Sequence, residues 1–302
     1  MSFKIKFPFI KYRKIFIALS IFVIAASIFF IATKGFNYGI DFNGGAKLEY
    51  QFSSDVTESQ VREALKESFN DVSVVRFGES KDRRMSIKIG VASEHAQIGT
   101  QVTQSLEKTF GAGNVTLEQE ETVGPKVGKE MRRKAFYTIL FSWLLMLIYI
   151  GYRFDFLYAP GAVVALIHDV IIVLGFFALL GKEINLVIVA AILTLIGYSI
   201  NDTIVVFDRI RENKGRISHD SIEEVVNDSL NSTLSRTLIT SVTVLLVVLA
   251  LFFKGGGTLH DFAFALIVGV ITGTYSSIFI ASPVYIDLYK YWPKVSALWG
   301  KK

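Results

Sequence analysis

INLVIVAAILTLIGYSINDTIVVFDRIREN, residues 184–213, decides the class of this protein. Twelve of the fourteen residues from Ile184 to Gly197 are apolar or glycine; Asn201-Asp202 then breaks the run, and residues 204–207 resume it before a charged end. A helix needs about 20 such residues to cross roughly 30 Å of hydrocarbon. A carboxylate inside that run is costly and is the first candidate for function.

The rest of the chain repeats the pattern. Of its 302 residues, 51% are apolar or aromatic, and the mean hydropathy is +0.44. Spans are expected at 15–32, 135–152, 159–180, 184–207, 237–253 and 259–285. No cysteine occurs, which excludes disulfides and thiolate chemistry, and His95, His168, His219 and His260 are too scattered for a metal site. Gly255-Gly256-Gly257 lacks the Lys-Ser/Thr pair that follows a phosphate loop. No nucleophilic triad can be assembled either, so neither an enzymatic activity nor a bound cofactor or metal is expected. The net charge of +5 is no nucleic-acid signal, because residues 33–134 hold 15 basic and 15 acidic side chains and the excess lies beside the spans.

That excess sets an orientation. Fourteen Lys and Arg fall in the N-terminal tail, at Arg153, in 208–216 and in the C-terminal tail, against Lys182 and Lys254 on the other side. Both termini are therefore expected in the cytoplasm. The first span, with an apolar core of 18 residues, is too long for a cleaved signal peptide. The expected organisation is a basic tail (1–14), the first span (15–32), an extracytoplasmic domain with its linkers (33–134), five further spans (135–285) and a second basic tail (286–302).

Within 33–134 the pattern reads strand, helix, strand, strand, helix, strand. Residues 47–52 alternate, Thr57-Glu58-Ser59-Gln60 has the form of a capping box, and Val61, Leu65 and Phe69 share one helical face. Residues 72–77 and 85–89 read as strands joined by a charged turn at 79–84. Ile98, Val102, Leu106 and Phe110 form a second stripe, ended by Gly111 and Gly113, before a strand at 115–121. This order is ferredoxin-like and leaves one face of the sheet without helices, free for a substrate or partner. The fold class is thus a polytopic α-helical membrane protein, with six transmembrane helices and one extracytoplasmic α+β ferredoxin-like domain. Residues 220–234 read as a separate amphipathic helix, lying along the membrane interface or packed on the bundle, with Ser221 and Glu224 offering a second capping box.

Three charges fall inside spans: Asp169, Asp202 and Arg236. From the topology, Asp202 and Arg236 lie at comparable depth, which suggests an ion pair. A proton relay is the functional reading, with Arg236 modulating the proton affinity of Asp202; a static pair is the structural one. Asp169 and His168 either carry protons or make helix–helix hydrogen bonds to Asn185, Ser199 or Thr203. Gly269 and Gly273 form a GxxxG pattern suited to close helix packing.

Several stretches together resemble the SecF family of the bacterial Sec translocase, within the resistance–nodulation–division superfamily. They are GIDFNGG at 39–45, VGPKVG at 123–128, GYSINDTIVVFDRIREN at 197–213, SLNSTLSRT at 229–237 and GTYSSIFIASP at 273–283. Asn43 and Ala46 stand where threonine is common in that family. The resemblance implies a subunit that uses the proton-motive force to promote late steps of protein export across the bacterial cytoplasmic membrane. It carries the functional Asp and Arg onto Asp202 and Arg236, and marks Gly39, Asp41, Gly44 and Gly45 as the family-motif loop. The implied partners are SecD, the SecYEG translocon, YajC and YidC, exported unfolded polypeptide and membrane lipids, with no nucleic acid. Two rivals stand beside it: a proton-coupled exporter of lipids or small molecules acting as a homodimer, and a membrane scaffold without transport.

Overall fold

The structure, a computed structural model, describes residues 6–69, 72–77, 82–90, 98–154, 156–218 and 221–299. Residues 79–81 of the expected turn, His95, His219, Asp220 at the start of the expected amphipathic helix, and the tail residues 1–5 and 300–302 lie outside the described residues.

A short 3-10 turn (Ile10–Tyr12) leads into helix α1 (Arg13–Lys34). Strand β1 (Asn37–Tyr38) and the one-turn helix α2 (Ile40–Asn43) then open the sheet domain: β2 (Gly45–Phe52), α3 (Glu58–Lys66), β3 (Val72–Phe77), β4 (Arg84–Ile89), α4 (Ile98–Phe110) and β5 (Val115–Val123). The strands run in the order β3-β4-β2-β5 with every neighbouring pair antiparallel, which is the ferredoxin-like arrangement. Period-two alternation turns Ala46, Leu48, Tyr50 and Phe52 with Met85, Ile87 and Ile89 inward, where Val61, Leu65, Val102 and Leu106 cover them. Thr57 and Gln60 form the reciprocal capping box that their spacing predicts. The helix-free face is charged, with Lys47 bonded to Glu49 at 2.7 Å and Arg84 to Glu118 at 3.0 Å.

The membrane part follows as α5 (Pro125–Arg153), α6 (Ala159–Leu180), the short β6 (Glu183–Ile184), α7 (Leu186–Glu212), α8 (Ile222–Lys254), α9 (Gly257–Ser276), a π-helical turn (Ser277–Ala281) and α10 (Ser282–Trp299). Among the described residues, six helical stretches are long and apolar enough to cross a membrane. α6, α7 and α9 are mostly buried, while α1, α5 and α8 flank them and expose apolar side chains such as Ile148, Val247 and Phe253. In water that surface would be a liability; against lipid tails or a second membrane chain it is satisfied. Gly175 lets the α1 backbone at Ser27 approach α6 in direct contact.

Three expectations need correction. The amphipathic helix at 220–234 is not separate: α8 runs without a break through Lys254, because no glycine or proline interrupts it. Of the two placements expected for its apolar stripe, the structure shows packing on the bundle, with Ile222, Val225, Val226 and Leu230 buried. Second, Ser221 makes no capping box, since its hydroxyl donates to the Arg216 carbonyl and accepts from the Ser218 N–H. Third, the helix of the last span runs on beyond 285. Pro283 lacks an N–H and crowds the preceding turn, so the helix relaxes into the π turn and then continues as α10. Lys290 and Arg13 clamp this extension, bonding Glu223 at 2.6 and 3.5 Å, while Arg13 also meets Asp287 at 3.4 Å.

Candidate functional site

The polar residues of α6, α7, α8 and α9 meet in one buried seam. On α7, Ser199, Asp202 and Thr203 recur at helical spacing on the inward face. Gly269 and Gly273 of α9 lie against Leu195 and Ser199; a Cβ on Gly273 would stand 3.0 Å from the Ser199 Cβ and hydroxyl. That close approach brings the α9 hydroxyls within reach of α6.

Asp169 sits at the centre and is fully buried. Its Oδ2 accepts from Ser199 Oγ at 2.7 Å and from Ser276 Oγ at 2.8 Å, and its Oδ1 faces His168 Nδ1 at 2.9 Å. The His168 ring lies over Tyr275, with centroids 5.9 Å apart, and its buried Nε2 has no hydrogen-bond partner among the described residues. Tyr275 in turn donates to the Phe16 carbonyl at 2.6 Å and meets Ser20 at 2.8 Å, tying α1 to the seam. Of the neighbours expected for Asp169, Ser199 is one; Asn185 instead caps α7 through the Ile188 N–H, and Thr203 bonds Ser277 at 2.8 Å.

Asp202, 2% exposed, lies about one turn along α7. Ser241 Oγ stands 3.4 Å from its Oδ2 and 2.7 Å from Thr274 Oγ1. The expected ion pair with Arg236 does not form; Arg236 is exposed on α8 and lies beyond bonding distance of Asp202. The reason is rotational. α8 buries Thr233, Thr237 and Ser241, and Arg236 is offset from Ser241 by about 140° around the helix. Neither buried carboxylate therefore touches a Lys or Arg among the described residues. Of the hydroxyls that do the holding, Thr274 and Ser276 lie in the GTYSSIFIASP stretch, where Thr272, Thr274, Tyr275, Ser276 and Ser277 crowd one apolar span, whereas no sequence motif marks Ser241. No group of three or more His, Asp or Glu able to hold a metal occurs among the described residues.

The family-motif loop lies elsewhere, at the root of the sheet domain. β1 pairs in parallel with β6, placing the loop beside the start of α7. There Asp41 Oδ2 accepts from the Leu186 N–H at 2.8 Å, so Asp41 and Asn185 satisfy two of the free N–H groups at the α7 N-terminus. Gly44, at φ +80°, passes so near α5 that a Cβ would lie 2.8 Å from Pro125. Gly45, at φ +144°, would bring one 2.7 Å from the Ile89 carbonyl. Gly39 lies directly against the Glu183 carboxylate, which also pairs with Lys88 of β4. The loop is a tight joint binding the sheet domain to α5 and to the helix that carries Asp202.

Comparison with known proteins follows this geometry. Residues 101–291 match the family described as "Protein export membrane protein SecD/SecF, C-terminal", and residues 29–56 match the "SecD/SecF GG Motif". The protein translocase subunit SecF of Vibrio alginolyticus is 42% identical over 93% of this chain and 89% of its own length. That of Haemophilus influenzae is 43% identical over 94% and 88%. Among solved structures, SecDF, a translocon-associated membrane protein from Thermus thermophilus, superposes with a TM-score of 0.81 at 38% identity, over 95% of this chain. SecDF in a super-membrane-facing form gives 0.72 at 36% identity, over 98%. The chain spans 39% and 40% of those two chains. With relatives matched along nearly its whole length and both family motifs in place, the chain belongs to the SecF family of protein translocase subunits.

Proposed function

We propose that the chain is the proton-coupled half of an assembly with SecD, using the proton-motive force to promote late steps of polypeptide export across the bacterial cytoplasmic membrane. One observation carries this reading: Asp169 and Asp202 are buried in the membrane part with hydroxyls and one imidazole as partners, and no Lys or Arg among the described residues in contact. In such surroundings a proton is the available counter-charge. The two acids occupy one seam, because Ser199 and Asp202 share an α7 face while Thr274 and Ser276 share α9. Arg236, on the exposed side of α8, is placed to meet a second membrane chain and to swing toward Asp202 when α8 rotates.

The basic residues favour cytoplasmic termini, which puts the sheet domain outside, where emerging polypeptide would meet it. The exposed apolar faces of α5 and α8 supply surface for SecD, with SecYEG, YajC and YidC as the wider assembly. A potential of 100 mV acting on one charge supplies about 2.3 kcal/mol, enough to bias a two-state rearrangement of the seam well over tenfold.

The rival is a structural seam, favoured by the full complement of partners around Asp169. Proton-gradient-driven completion of a stalled export intermediate, in vesicles with ATP removed, separates the two. Asp202→Asn and Asp169→Asn should each insert and bind SecD yet abolish the stimulation, and Arg236→Met should behave likewise. Completion at the wild-type rate by both Asn variants would leave the seam a structural lock.

A further inference from the structure

A pocket of about 1210 Å³ opens at the end of the bundle where the N-terminal segment, the end of α7 and the beginning of α8 meet. Its walls are of two kinds. On the bundle side Phe9, Phe16 and Phe279 form a floor, with Phe16 stacked on Phe279 at 3.8 Å between ring centroids, and Leu238 extends that floor along α8. At the mouth stand Lys6, Arg209 and Arg216.

The pocket is held open by α8 itself. Asn231 accepts from the Phe7 N–H at 2.7 Å and donates to the Phe7 carbonyl at 2.9 Å, while Asn227 accepts from the Ile10 N–H at 3.3 Å. These bonds sew the segment ahead of α1 to α8 as a fixed wall. Charge at the mouth is unbalanced. Lys6 and Arg216 share a single carboxylate, Asp228, at 3.1 and 3.5 Å, and Arg209 pairs with Glu212 at 2.6 Å. Among the described residues, three cations against two carboxylates leave one positive charge where α7 and α8 reach the polar boundary of the membrane.

A free anion would satisfy that charge but leave Leu238, 48% exposed, and the half-buried Phe16 uncovered. An apolar partner helix would cover the floor but bury three cations against two carboxylates, leaving one charge uncompensated at a cost. One molecule with a phosphodiester at the polar boundary and an acyl chain one to two helical turns deeper satisfies both. We propose that this pocket binds one anionic glycerophospholipid, its phosphate between Arg209 and Arg216 and an acyl chain across Phe16, Phe279 and Leu238.

The test uses the full chain co-purified with its membrane partner, carrying Leu238→Trp as reporter. It is reconstituted in vesicles of mixed phosphatidylcholine and phosphatidylglycerol, with bromine on the acyl chains of one lipid or the other. Brominated phosphatidylglycerol should quench the reporter, measured against the protein without it, about five-fold more effectively per mole than brominated phosphatidylcholine, since one basic charge near the surface contributes about 1 kcal/mol. That preference should vanish in the Arg209→Gln/Arg216→Gln background. It should also fall in high salt with the native arginines in place, a measurement that needs no charge variant. Equal quenching by the two lipids, a preference unmoved by both the substitutions and salt, or no quenching by either lipid because protein fills the pocket, would each overturn the assignment.

Discussion

Removing the hydroxyls around Asp169 one at a time measures whether that carboxyl holds a proton at rest. Ser199 and Ser276 donate to the same oxygen, at 2.7 and 2.8 Å, from two different helices, and none of the three side chains belongs to a residue more than 1% exposed. A hydrogen bond between neutral groups contributes about 0.5–1.5 kcal/mol net, whereas one to a charged group contributes about 1.5–3 kcal/mol. Pairing Ser199→Ala with Asp169→Ala, and Ser276→Ala with Asp169→Ala, isolates each coupling, because effects private to one substitution cancel in the cycle. The assay is reversible unfolding of the full chain in mixed micelles, followed by helical circular dichroism. A proton-loaded Asp169 predicts about 1 kcal/mol for each hydroxyl. Couplings above about 2 kcal/mol for both would mean an ionised carboxylate and refute the resting state argued above. Couplings indistinguishable from zero would refute the geometry itself.

The joint, the end of α6 and the sheet domain give four further predictions. Asp41→Ala should expose the start of α7 at a cost of about 1 kcal/mol, read as about five-fold faster amide exchange at residues 186–189, while Asp41→Asn keeps the acceptor and most of the protection. Gly44→Ala combines a left-handed backbone with a clash against Pro125 and should cost at least about 2 kcal/mol. Gly181→Ala, at φ +65° with open space around it, should cost only about 1 kcal/mol in the same unfolding assay. In the sheet domain, burial pushes the Tyr50 hydroxyl up to about 12, although Thr103 bonds it. A raised phenol favours the folded state while it stays protonated, so this contribution is complete below pH about 10 and is lost as the pH rises toward about 12. Because that domain has its own core, the excised 45–123 segment should unfold cooperatively with a midpoint that drops over this window, and Tyr50→Phe should remove much of the drop.

Much of the architecture is written in local pattern. Apolar runs long enough to cross a bilayer, the alternation in β2 to β5 and the Thr57 box each depend on neighbours a few residues away, and composition alone exposes them. The two acids were visible for the same reason: a charge in an apolar run is conspicuous whatever surrounds it. What each acid faces was not visible. Which side of α8 turns toward Asp202 depends on how a helix 33 residues long rotates to bury Thr233, Thr237 and Ser241, and that rotation left Arg236 outside. Ser276 reaches Asp169, 107 residues earlier in the chain, only because Gly273 lets α9 close on Ser199. Asp41 caps Leu186 across 145 residues, through a two-residue strand pair too short to leave a periodic signal. Periodicity reports a helix's length and apolar face; its partner, depth and rotation are set by side chains far away in sequence, and those only the tertiary packing brings into contact.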